Sequence, residues 1–213
     1  MTNFEINKPR FLPSEEIWEK ADDFVKTYWE YGKVPVNIEY IVEAGLNLEI
    51  IPMNNLSEIC GIDAYLKSDF SGIVVDNKKY EDERYDKRLR FSIAHEVGHY
   101  ILHENFYQDI DIGTAKDYYN FIMSIPEEVY RAYEYQANQF AGRLLVPREK
   151  LVEEVKKISN IIIKKDAINI LKKDPLFVLE RVTPSLCKPF GVSEDVIGRR
   201  VQEEKLWPPE DFK

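Results

Sequence analysis

The stretch FSIAHEVGHYILH, Phe91 to His103, constrains the fold more than any other part of the chain. It holds all three histidines, His95, His99 and His103, spaced four apart. Residues at that spacing share one face of a helix. On the wheel Phe91, His95, His99 and Leu102 form one side, while Ala94, Val97 and Ile101 form the other. A helix apolar on both sides is buried, and buried imidazoles need partners. Gly98 is worth about 1 kcal/mol less than alanine inside a helix, so its place here marks the close approach of a second element. The fold must wrap this helix and bring polar groups to one point on it.

His95 and His99 present ring nitrogens to a common point, as two zinc ligands at about 2.0–2.1 Å require. Glu96 projects beside that face, within reach of a water activated by a metal. This is the HExxH arrangement, two ligands and a general base. His103 lies roughly 12 Å along the axis from His95 at 1.5 Å rise per residue, too far to join the same ion. A helix-end position, or a role orienting a ligand, fits it better. The metzincin extension would need Gly at 102 and His at 105, where the chain has Leu102 and Asn105.

The third ligand must come from another segment, and YEYQANQFAGRLLVP offers the best candidate. Glu134, Ala137, Asn138, Ala141 and Leu145 fall near one side of a helix, with Phe140 and Leu144 extending the apolar stripe. A carboxylate at the edge of such a stripe is costly unless paired or bound to metal. Ala137 and Ala141 are small enough to let this helix lie against Gly98. Asn138, one turn after Glu134, is placed to orient a histidine ligand. Glu104, Glu127 and Glu128 compete without a comparable apolar setting, and pairing with Arg131 is the ordinary alternative for Glu134.

The rest of the chain reads as helix, small sheet, then helices, an α+β order. Ser14, followed by Glu15 and Glu16, predicts an N-cap. A short helix ending at Gly45 precedes a strand over 46–51, and a second strand runs from Gly72 to Asp76 into a turn at Asn77-Lys78. Long helices are predicted over 84–104 and 127–145, with another from Pro147 to Val155 and further helix from Asp166 onward, broken at Pro175, Pro184, Pro189 and Gly191. This gives a domain over 1–155 and a helical appendage over 156–213. A net charge of −9 and 44% hydrophobic residues argue for a protein with a real core and against a general nucleic-acid binder. Two distant cysteines, an opening stretch without a signal-type apolar core and no long apolar run predict a cytoplasmic protein that does not enter membranes.

RLRFSIAHEVGHYILH and EYQANQFAGRLLVP, with SGIVVDN upstream, resemble the ImmA/IrrE family of metallopeptidases over roughly Val34 to Leu151. The resemblance implies a zincin-like core, with His95, His99 and Glu134 as ligands of one Zn2+ (or Mn2+) and Glu96 as catalytic base. It also implies a protein substrate, a helix-turn-helix repressor whose cleavage releases mobile-element or stress genes. In such folds an edge strand pairs with extended substrate, so Gly72, Ile73, Val74 and Val75 are the expected substrate-binding residues. Tyr100, Tyr130, Tyr133 and Arg143 all remain open as donors to the oxyanion.

LCKPFGVSEDVIGRRVQ resembles the core of a helix-turn-helix, with Gly191 at the turn and Ser193 as N-cap. Its last helix begins Glu194-Asp195, which disfavours DNA, so packing on the protease or docking a protein is the better reading. The competing class for the whole chain is a regulatory module with a structural metal. Glu96 argues against it, because structural zinc sites are closed by four protein ligands.

Overall fold

The computed structural model describes residues 10–30, 32–107, 112–164 and 168–209. Helix α1 (Ser14–Tyr28) buries Ile17, Ala21 and Phe24, the inward positions of a helical stripe. Pro13, not Ser14, is its N-cap; the Ser14 hydroxyl instead meets the Tyr135 hydroxyl at 2.9 Å. A short helix and a π turn ending at Gly45 lead into β1 (Glu49–Met53). β2 (Ala64–Leu66) and β3 (Gly72–Asp76) complete a sheet of order β1-β3-β2.

β3 pairs parallel with β1 and antiparallel with β2. The expectation that Gly72, Ile73, Val74 and Val75 form an edge open to substrate is therefore corrected: both flanks of β3 are taken, so its backbone has no free side to offer. The unbroken apolar run Gly72-Ile73-Val74-Val75 is itself the mark of a strand covered on both faces. Gly72 is required by a close approach, since a Cβ there would stand 2.5 Å from the Glu49 carbonyl oxygen. β2 is an edge of the sheet. Asp63 O and Lys67 N bond across to β3, so alternation turns the backbone N–H and C=O of Ala64 and Leu66 away from it.

Helix α2 (Asp86–Leu102) crosses beneath the sheet and buries Leu89, Ile93, Ala94, Val97 and Gly98. After α3 (Ala115–Ser124), helix α4 (Glu127–Leu145) lies along α2. At their closest point a Cβ on Gly98 would meet the Ala137 carbonyl oxygen at 3.0 Å and its Cα at 3.1 Å. Small residues on both helices let the backbones touch, as their pattern predicts. On its other side α4 packs against α1, with the rings of Phe24 and Phe140 5.7 Å apart.

Helix α5 runs Arg148–Lys164, so the boundary expected at 155/156 falls inside a helix. One core cluster joins residues on both sides of it, Ile93 and Phe140 with Leu186, Phe190, Val192, Ile197 and Val201. Asp166 lies outside the described residues. Helix α6 (Pro175–Cys187) runs straight through Pro184, contrary to the expected break. Pro184 and Glu180, whose carbonyl loses its partner to the ring, both face solvent. Gly191 turns the chain at φ +61° and Ser193 caps α7 (Glu194–Glu203). Among the described residues no helix is long and apolar enough to cross a membrane.

Candidate metal centre

One turn of α2 separates His95 from His99, and their Nε2 atoms face each other at 2.9 Å. Glu134 of α4 closes the group, with Oε2 3.4 Å from His95 Nε2 and Oε1 3.3 Å from His99 Nε2. All three donor atoms lie within 4.8 Å of one another. Donors held tetrahedrally at about 2.0–2.1 Å from one ion stand about 3.3 Å apart. The carboxylate distances match that edge and the histidine pair is slightly closer, so the donor set fits a divalent cation. Glu127 instead pairs with Arg131 at 2.5 Å on the surface, and Glu104 and Glu128 are exposed.

Each histidine is held from behind. His95 Nδ1 is 3.1 Å from Asn138 Oδ1, which leaves Nε2 free to face the cluster when the amide oxygen accepts. His99 Nδ1 is 2.9 Å from His103 Nδ1. His103 is the residue that ends α2; it is buried, and its ring stands edge-on to Tyr133 at 4.4 Å. Burial, with His99 beside it, pushes the His103 pKa down to about 2, so the ring is neutral.

The electrostatics follow from burial and from the cluster. Burial raises the Glu134 carboxyl, but hydrogen bonds from His95 and His99 outweigh it and hold it well below the usual carboxylate range. Burial opposes protonation of His95 too, yet the Glu134 carboxylate prevails and its pKa rises, whereas at His99 burial wins and the pKa falls. Glu96 is 5% exposed, and burial pushes its carboxyl up to about 7. Its Oε2 accepts the Leu66 N–H from the outward side of β2 at 2.9 Å.

A cleft of about 870 Å³ opens over this group. Asp63 and Ala64 form its rim on the sheet side, with Asp63 buried under ion pairs from Lys79 and Arg88. Tyr118 and Tyr130 line the cleft. Burial, with Glu134 and Glu96 nearby, pushes Tyr130 up to about 12, so its hydroxyl keeps its proton. The other oxyanion candidates are not among the residues lining the cleft: Tyr100 packs on Phe70, Tyr133 packs on His103 and Phe106, and Arg143 is bound to Asp22 at 2.6 and 2.5 Å. The far wall is α7, through Asp195, Val196, Arg199 and Glu203. Nothing local in the sequence marks Tyr118 or α7 as part of the site, because only the folded chain brings them there.

A family model described as the IrrE N-terminal-like domain of peptidase family M78 matches residues 80–202. The chain belongs to the M78 peptidase family. No curated protein matches it. The matched span of this M78 peptidase starts later than Val34 and runs well past Leu151. It takes in α2, α4 and nearly all of α7, so the helices that close the cleft belong to the family domain. The metallopeptidase class and the α+β fold follow from this match together with the three-stranded sheet and its surrounding helices.

Proposed function

We propose that this M78 peptidase is a zinc-dependent endopeptidase that cuts a helix-turn-helix repressor at one site in the cytoplasm. The observation that carries the reading is the convergence of His95, His99 and Glu134 beside the buried Glu96 at one cleft. His95, His99 and Glu134 would hold the metal, which when bound polarises the scissile carbonyl and makes water acidic enough to attack near neutral pH. Manganese is the second candidate for such a nitrogen and oxygen donor set.

The rest of the chemistry falls to side chains and backbone. The Glu96 carboxylate takes the proton of the attacking water and delivers it to the leaving amine. Burial raises its proton affinity toward the working pH, where exchange in both directions is easiest. Tyr130, protonated and at the cleft surface, donates to the oxyanion. Substrate lies extended along β2, pairing with the outward N–H and C=O of Ala64. The Leu66 N–H already serves Glu96. The repressor substrate rests on the family and on the resemblance around the two helix motifs. DNA recognition by α7 is disfavoured because Ile197, Arg200 and Val201 are buried while Val196 and Arg199 face the cleft.

The test is incubation of the zinc-loaded protein with a panel of purified helix-turn-helix repressors, followed by intact-mass analysis. One pair of fragments from one repressor, absent with a chelator and with Glu96→Gln, is the expected result. Absence of cleavage across the panel, with zinc bound, would remove the repressor as substrate class.

A further inference from the structure

His99 and His103 meet through their Nδ1 atoms at 2.9 Å, and at that distance one ring donates and the other accepts. With His99 Nε2 turned to the metal, as the reading above has it, the His99 hydrogen sits on Nδ1. His103 Nδ1 is then the acceptor, and the neutral His103 ring must carry its hydrogen on Nε2. That Nε2 is fully buried and makes no hydrogen bond among the described residues.

Gln136 of α4, one turn from the Tyr133 that packs on His103, is the amide that acts on the His103 ring. Gln136 is 1% exposed. Its Nε2 donates to the Arg10 carbonyl oxygen at 3.2 Å, which fixes the amide so that Oε1 is left over. Gln136 Oε1 is also buried without a partner. His103 thus has a buried donor without an acceptor, the amide acting on it has a buried acceptor without a donor, and the roles each must play are complementary. The placement on α4 is consistent. Glu134 and Asn138 serve His95 on one flank of the Gly98–Ala137 contact, while Tyr133 and Gln136 flank His103 on the other.

We propose that Gln136 is a positioning residue of the metal centre: its Oε1 accepts from His103 Nε2, which sets His103 as acceptor for His99 Nδ1 and aims His99 Nε2 at the metal. The relay runs from the ligand through a neutral imidazole to an amide, and ends on the backbone of the segment before α1. It replaces the carboxylate or carbonyl that commonly orients a histidine ligand, and it rests on the metal reading of the cluster.

The chain has three histidines, so 15N labelling of histidine in the zinc-loaded protein gives three rings to assign. The wild type should show His103 as the neutral tautomer with its hydrogen on Nε2 and an accepting Nδ1. Gln136→Met should lose that single tautomer and bind zinc about 10–100-fold more weakly by competition titration. Gln136→Glu, which keeps an acceptor for His103 Nε2 but loses the donor to the Arg10 carbonyl, should keep the single His103 tautomer that Gln136→Met loses. A wild-type His103 with its hydrogen on Nδ1 overturns the proposal, even if Gln136→Met does not fold. So does Gln136→Met that binds zinc as tightly as wild type, and that result leaves the metal reading standing. Wild-type protein that binds no zinc removes both.

Discussion

Glu96 and Glu134 are two carboxylates of one centre driven apart by their surroundings. Glu134 meets two imidazoles and stays ionised, while at Glu96 burial outweighs the pull of His95 and of the Leu66 N–H, and its proton affinity climbs. Their substitutions should therefore separate. Glu134→Ala should abolish zinc binding in a calorimetric titration of the stripped protein. Glu96→Gln should bind zinc as wild type does but cut its substrate about 10²–10⁴-fold more slowly. A Glu134→Ala protein that binds zinc normally would show that Glu134 is not a zinc ligand. At this scale the sequence is most legible. His95, Glu96 and His99 lie within one helical turn, and a four-residue spacing fixes their relation before any tertiary contact forms. Glu134 and Asn138 could be read from their place on an apolar stripe. Tyr118 and Asp63 could not, because their only link to the site is through space.

The α2–α4 crossing depends on the absence of a side chain. Gly98→Ala would gain helix propensity worth about 1 kcal/mol, but its methyl would press on the Ala137 backbone, which cannot swing aside. We expect a net loss of about 1–3 kcal/mol in urea unfolding, with weaker zinc binding as Glu134 is pushed from the two histidines. On the sheet, the Ala64 N–H points out of the ladder, so proline there removes no sheet hydrogen bond, but Ala64 is buried and the ring must be fitted against the core. Ala64→Pro should lower the melting temperature by the cost of fitting the ring and, in protein still folded at the assay temperature, raise KM about 2–10-fold, the worth of one hydrogen bond. An unchanged KM would place the substrate elsewhere. The helices that carry the centre were legible from periodicity. The neighbours of β3 were not, since a buried run says that a strand is covered without saying by what.

Across the whole molecule, buried charge ties α1 to the end of α7. Glu204 forms ion pairs with Arg143 at 3.0 Å, Arg148 at 2.9 Å and Arg200, and Arg143 also holds Asp22 of α1. The Trp18 ring lies 5.6 Å from the Arg143 guanidinium and 5.5 Å from that of Arg200. Glu204→Gln would leave three guanidinium groups around a neutral amide and should cost about 3–5 kcal/mol in the same unfolding assay. A chain ending at residue 155 should fail to fold, as judged by circular dichroism, because Phe190, Val192, Ile197 and Val201 complete its core. Residues 18, 22, 143, 200 and 204 share no local pattern, which is why their link across 155/156, a point inside α5, was not legible in the sequence.

The wall supplied by α7 also orders events in time. A growing chain that has reached Leu145 already carries His95, Glu96, His99 and Glu134, but one side of its cleft is still to be made. The cleft closes only after residues 193–203 have left the ribosome and folded back. Nascent chains would thus carry these residues before they hold the core and the cleft that assemble them.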